Sequence, residues 1–325
     1  MLTFLWGLFC ACSWTWCIGM FLPKLMIDRF GWWGFIAFAV PNVIGCTAFG
    51  YVVKNRSRSE AMVRRHQTAM IVFSSITIGY HLFFTVWLLD SIVQVPQAFW
   101  TAPLGSAAIV FALAGLFSFF PDRDWLGLGV LVYAVSLLAF WNVGFEGFQR
   151  VPWGGALNPA ALILLTPALL FGFLLCPYLD LTFHRASQRT PSRHSFAVFG
   201  ATFTVMILLT VAIWFGTTRW EAETFDWLPP IVMAHLFAQM VFTAGAHMRE
   251  IRVSPISGVG RVTAIFAPLS AALLLYLGRM LTDSPALGET IYMAILSLYA
   301  SVFPGWLIWN ALRARERKAP GGAGG

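Results

Sequence analysis

Apolar runs of about 20 residues succeed one another along nearly the whole chain, and each is long enough to cross a hydrocarbon core of about 30 Å. They occupy residues 2–22, 31–53, 69–93, 100–120, 125–145, 157–183, 196–217, 230–248, 262–278 and 291–312. Only 11% of the residues are charged against 58% hydrophobic, with mean hydropathy +0.74. A soluble domain needs roughly a quarter of its residues charged to cover its surface. Strands are excluded, because an open sheet edge has no partners in lipid and no alternating apolar pattern recurs. The chain therefore reads as an all-α polytopic membrane protein of about ten spanning helices. A single transmembrane domain covers residues 1–312, and residues 313–325 form a basic, Gly-rich tail. The first run has no lysine or arginine before Lys24, so it lacks the charged start of a signal peptide and reads as a retained helix.

The net charge of +7 invites a nucleic-acid reading. That reading needs a basic face on a soluble module, whereas these basic residues sit in short connectors, where they set orientation. Placing the connector after the second run inside leaves only Lys24, Arg29, Arg150, Arg219 and Arg279 outside, of the 21 lysines and arginines. The expectation is a multi-pass protein of the cytoplasmic (inner) membrane with both termini cytoplasmic. Its partners would be the lipid bilayer and a small-molecule solute, and not nucleic acid; nothing in the sequence sets an oligomeric state. Trp32, Trp33, Trp100, Trp125, Trp220 and Trp227 lie near expected span ends, as an aromatic belt requires. The five cysteines, Cys10, Cys12, Cys17, Cys46 and Cys176, all lie in apolar runs without the pairing of a zinc or redox motif.

About ten helices divide into halves of about five, residues 2–145 and 157–312, and an odd number per half makes the second run opposite to the first. The first helix of each half carries an echo: Gly19-Met-Phe-Leu-Pro23 against Gly172-Phe-Leu-Leu-Cys-Pro177, followed by Asp28-Arg29 and by Asp180. Both helices have reasons to break, in Cys12-Ser-Trp-Thr-Trp-Cys-Ile-Gly19 and in Thr166-Pro167 with Gly172 and Pro177. A break frees carbonyls and amides to meet an ion or a carboxylate at mid-membrane; a simple kink is the other reading.

Polar side chains inside spans are the next signal, since each is costly unless it faces a cavity or a partner. On the eighth helix His235, Gln239, Thr243 and His247 recur every fourth residue, and on the third Ser74, Thr77, His81 and Thr85 form a similar stripe beside Tyr80. Lining a cavity, His235, Gln239, Tyr80 and His81 would bind substrate, Trp14, Trp16 and Tyr80 would stack on it, and Thr243 would offer a hydroxyl to a cation. The plainer reading is hydrogen bonding between packed helices. Asp180 is a gate or proton relay, or a solvated helix-end charge paired with Arg185; Asp90 has the same two readings. Asn42, next to Pro41, supports packing around a kink. No catalytic motif and no metal-ligating histidine cluster is present, so no enzyme, metal or resident cofactor is expected.

Four features carry a resemblance: the Gly/Trp-rich first helix, Gly34-Phe-Ile-Ala-Phe-Ala-Val-Pro-Asn-Val-Ile-Gly45 on the second, a long basic loop at 54–66, and a broken sixth helix. On these the chain resembles the leucine-transporter-type fold of the amino acid, polyamine and organocation superfamily, nearest to sodium:solute symporters. The resemblance implies two inverted five-helix repeats, a cavity between helices one, three, six and eight, and a cation site formed by backbone around Cys12 and Ser13 with Thr243. That family usually supplies two adjacent hydroxyls where this chain has Thr243-Ala244. The implied function is a secondary transporter of a small organic solute, an amino acid, nucleobase or amine-like molecule, with a sodium ion or a proton as the coupling ion. A drug/metabolite transporter-type ten-helix exporter is an alternative, as is a non-transporting membrane sensor or accessory subunit of transporter-like fold.

Overall fold

The computed structural model describes residues 1–92, 102–221, 230–282 and 284–316, and every regular element among them is helical. In chain order these are α1 (Leu2–Trp14), α2 (Cys17–Phe30), α3 (Trp32–Val53), α4 (Arg56–Trp87), α5 (Ala102–Phe117), α6 (Asp122–Val143) and the single turn α7 (Glu146–Gln149). The second part of the chain supplies α8 (Pro159–Leu175), α9 (Leu181–Arg189), α10 (Ser195–Glu221), α11 (Pro230–Val253), α12 (Gly258–Thr282), α13 (Pro285–Ser297) and α14 (Phe303–Glu316). A π-helical turn, Leu88–Ile92, extends α4, and a second, Leu298–Val302, joins α13 to α14.

Among the described residues eight helices are long and apolar enough to cross a membrane, or nine spans if α1 and α2, bent by 63°, count as one; α5 is a shorter apolar helix. Large apolar side chains face outward where lipid would lie, including Ile163, Leu164 and Leu274. Because lipid tails are as apolar as the core, such faces need no cover. The molecule is thus a multi-spanning helical membrane protein.

Three expectations change. Residues 56–66 form the start of α4 rather than a long basic loop: the Asn55 side chain accepts from Arg58 N–H as an N-cap, and Arg56 pairs with Glu60 one turn on. A local kink at His66 marks where this segment meets the span. Trp125 is no belt residue, for it is fully buried against Phe9 and Phe242. The first span does not end near residue 22 but resumes after its break and continues to Phe30. Trp33 is exposed as a belt residue should be, while Trp100, Trp227, the Trp220 side chain and the tail beyond residue 316 lie outside the described residues.

The broken helix α1–α2 sits in the middle of the bundle. Around it, α1 packs on α6, α10 and α11, and α2 on α3, α4 and α10. Helix α4 packs against α11 and α12, α5 against α11, and α3 against α8 and α10. The contact between α3 and α8 depends on Gly45: a Cβ there would lie 2.2 Å from the Phe173 carbonyl oxygen.

Candidate functional site

The first expected break interrupts a span, whereas the second falls only at the end of its span. The first falls at Thr15 and Trp16, which leave helical geometry between α1 and α2. Backbone groups released by a break in lipid need partners, and nearby side chains supply them. Trp16 Nε1 donates to the Ser13 carbonyl (2.8 Å), while Thr15 Oγ1 and Ser13 Oγ bond back to the Ala11 (2.7 Å) and Cys10 (3.2 Å) carbonyls within α1, the first of which also accepts Thr15 N–H. Across the break, Cys17 N–H donates to His81 Nε2 (3.2 Å), while His81 Nδ1 bonds the Thr77 carbonyl (2.7 Å). His81 therefore caps the N-terminus of α2, and both its ring nitrogens are engaged by backbone.

The second break falls beyond Pro167, through which α8 runs on unbroken. It is a 3₁₀ turn, Cys176–Leu179, followed by Asp180 in extended geometry. Pro177 cannot donate the next helical bond. Asp180 then acts as N-cap of α9, its Oδ1 accepting from Thr182 N–H at 2.7 Å. The two breaks touch: Thr182 Oγ1 donates to Ser13 Oγ at 3.1 Å, and the rings of Trp14 and Phe183 lie 5.0 Å apart.

Asp180 is not a solvated end charge. It is fully buried, and Arg185 turns away to Asp122 and Glu250. Its second oxygen, Oδ2, has no hydrogen-bond partner, and neither has Nε2 of His247, 3.9 Å away and equally buried. His247 Nδ1 bonds Ser74 Oγ (3.1 Å), and its ring meets Trp16 edge-on at 5.6 Å.

The row on α11 separates because a four-residue repeat advances about 40° per step on a 3.6-residue helix. His235 Nδ1 and Gln239 Nε2 both reach Ser136 Oγ on α6 (2.8 and 3.3 Å), and Gln239 Oε1 is left buried without a partner. Thr243 Oγ1 donates to the Cys12 carbonyl at 3.2 Å, and Cys12 Sγ contacts the Gly129 carbonyl. Only His247 faces α4 and Asp180. The α4 stripe likewise disperses: Thr77 meets Tyr299 (2.8 Å), Thr85 meets Met240, and Tyr80 donates to the Tyr292 carbonyl at 3.0 Å. Asn42 accepts from Trp14 Nε1 at 2.7 Å, tying the first break to α3.

An apolar cavity of about 60 Å³ lies beside the first break, walled by Trp14, Trp16, Leu169, Cys176, Leu296 and Tyr299. It has room for about two water molecules. Both ends beyond it are tied by charge. At one, Asp122 accepts from Arg185 (2.7 Å), Arg249 (2.8 Å) and Arg189 (3.1 Å), with Glu250 bridging Arg185 and Arg249; the Arg185 guanidinium lies 5.0 Å above the Phe9 ring. At the other, Arg29 pairs with Glu289 and Arg279 with Asp90. His184, on α9, is buried between Ser59 Oγ at Nδ1 and the Tyr178 carbonyl at Nε2, and burial pushes its imidazole down to about 4.

Sequence reading singled out Trp14, Trp16, Tyr80, His81, His235, Gln239, Cys12, Ser13, Thr243 and Asp180. The structure gathers Trp14, Trp16, Ser13 and Asp180 at the meeting of the breaks and sets His235 and Gln239 against Ser136 of α6. It adds His247 and Ser74, already in the stripes, and Tyr299, whose i+7 spacing from Tyr292 was a visible signal. The chain matches no family model, no curated protein and no solved structure.

Proposed function

We infer that this chain is a secondary active transporter of a small organic solute, working by alternating access in the cytoplasmic membrane with both termini inside. The observation that carries the reading is the contact of two helix breaks, in α1–α2 and between α8 and α9, in one buried layer beside a cavity. A broken span such as α1–α2 places backbone dipoles inside the membrane, where transporters bind solute and coupling ion, and the turn before Asp180, at the end of the span 159–179, meets it.

The packing supports an inverted repeat of about ten helices. Exchanging α1–α2 with α8–α9, α3 with α10, α4 with α11, α5 with α12, and α6 with α13–α14 turns the contact of α1 with α10 into that of α8 with α3. It turns α4 on α12 into α11 on α5, and α1 on α6 into α8 on the α13–α14 segment, all of which occur. The small cavity fits a state closed at both ends, since organic ligands occupy pockets of about 300 Å³ or more. Opening one charged cluster at a time would admit solute from one side only.

In this reading Trp14, Trp16 and Tyr299 offer ring faces to the solute. His81 acts by holding the break, and Gln239, with an oxygen unpartnered, is the polar contact beside Ser136. A thermal-shift screen of amino acids, nucleobases, amines and sugars identifies the ligand, because binding stabilises the state it occupies. Uptake into proteoliposomes then tests transport: His81→Ala and Gln239→Ala should abolish it while leaving insertion intact. Normal uptake by both variants would refute the site.

A further inference from the structure

We propose that Asp180 and His247 form a proton-binding pair that holds one exchangeable proton between the start of α9 and α11, beside the break in α1–α2. The geometry is specific. A carboxylate oxygen and an imidazole nitrogen, both fully buried and both without a hydrogen-bond partner, stand 3.9 Å apart. Every other polar atom of the two side chains is engaged: Asp180 Oδ1 caps α9, and His247 Nδ1 bonds Ser74.

Counting protons decides the occupant. With none, the pair buries a net negative charge even where His247 takes the tautomer whose Nε2–H faces Oδ2; with one on each group, it buries a net positive charge. Either net charge is strongly disfavoured in a medium without water. One proton gives a neutral pair, either as carboxyl facing imidazole or as carboxylate facing imidazolium. It satisfies both orphan atoms once they close to about 2.8 Å or one water bridges them. The proton arrives from hydronium on the open side, forming one O–H or N–H bond, and returns to water when that bond breaks on the other side.

A sodium ion fits poorly here. Hard cations take several oxygen ligands, and this pair offers one oxygen and one nitrogen. The titratable groups within electrostatic reach are Glu250 on the same helix as His247, His81 on α4, Cys10 on α1, Cys46 on α3, and Cys176 and Tyr299 beside the second break. His81 has both nitrogens bonded to backbone and Tyr299 is bonded to Thr77, so the unpartnered atoms of the pair are the ones that open to a proton. Asp180 lies on the second break and His247 on α11, so relative movement of α9 and α11 makes or severs the proton's second bond. That coupling rests on the transport reading; the proton site itself does not.

The test is infrared titration of the full-length protein in lipid, following the protonated-carboxyl band. With 14 aspartates and glutamates in the chain, the spectrum is read as wild type minus Asp180→Asn, and that difference should show one carboxyl proton lost in a single step as pH rises. Asp180→Asn, whose amide oxygen still caps α9, should lack that band. His247→Gln should move its midpoint by about one pH unit or more. Sodium chloride in place of potassium chloride should leave the midpoint unchanged. A carboxyl spectrum unaffected by Asp180→Asn at every pH, or a midpoint indifferent to His247→Gln, would overturn the pair, and a midpoint displaced by sodium would overturn the choice of proton. In proteoliposomes, Asp180→Asn should abolish uptake driven by a pH gradient yet keep solute exchange. A titrating band in a protein that moves no solute would establish the proton site and refute the transport reading separately.

Discussion

Replacing Asp122 by Asn should destabilise the protein by about 3 kcal/mol and unlatch the end of the molecule beneath the two breaks. Asp122 is the acceptor on which three arginines converge, from α9 and α11, and its loss is felt most at Arg185, whose side chain is only 4% exposed. Breaking a buried ion pair costs about 3–5 kcal/mol because it strands a charge. Arg185 keeps Glu250 at 3.3 Å and the Phe9 ring, so the lower end applies. Arg189 is mostly exposed and adds under about 1 kcal/mol. If the whole of it falls on closure, 3 kcal/mol is about a hundredfold in the open-to-closed ratio. The assay pairs equilibrium unfolding in mixed micelles with maleimide labelling of Cys10, buried near Arg185 and Asp180, in a background lacking the other cysteines. Labelling should accelerate by up to about a hundredfold. Adding Arg185→Met to Asp122→Asn should recover part of the loss, since apolar replacement of a buried pair is often neutral. A loss below about 1 kcal/mol with unchanged labelling would refute the latch.

His184 gives a pH dependence of known sign. Its imidazole titrates near 4 when folded and near 6.5 when unfolded, so stability is full above pH 6.5 and declines as pH falls toward 4, by about 2 kcal/mol at pH 5. The stability advantage of wild type over His184→Gln should shrink by that amount between pH 7 and pH 5; parallel profiles would contradict it. Gly45→Ala should cost about 1–3 kcal/mol by forcing α3 from the Phe173 carbonyl, whereas Gly127→Ala, inside α6 with open space around it, should stabilise by up to about 1 kcal/mol in the same unfolding assay. Thr243→Val should cost about 1 kcal/mol by leaving the Cys12 carbonyl without its hydroxyl donor, and an unchanged midpoint would count against that bond.

The spans and the break in α1 were legible because both rest on local chemistry: apolar length, and a Ser-Trp-Thr-Trp run whose side chains can satisfy their own backbone. Pro177 marked the second break correctly, while Pro167 misled, because a proline in a membrane helix interrupts it only where its neighbours favour a turn. The basic stretch at 56–66 looked like a loop from its charge, yet Asn55 and the Arg56–Glu60 pair were helix signals of equal weight. The stripes named the right residues but assigned them one shared face. A drift of about 40° per step sends Gln239 to α6 and His247 to Asp180, and no single helix reveals where its neighbours stand. The Asp122 cluster was invisible for the same reason, since its partners come from segments far apart in sequence.

Passage of solute through the meeting point of the two breaks is what the proposed transport requires. The most direct measurement is time-resolved uptake by proteoliposomes of the ligand found by thermal shift, under an inward proton gradient and in its absence. Transport by this route gives saturable uptake that the gradient accelerates and that exchange with internal ligand reveals when the gradient is absent. Saturable binding without net uptake or exchange, in protein shown to be inserted, would contradict it.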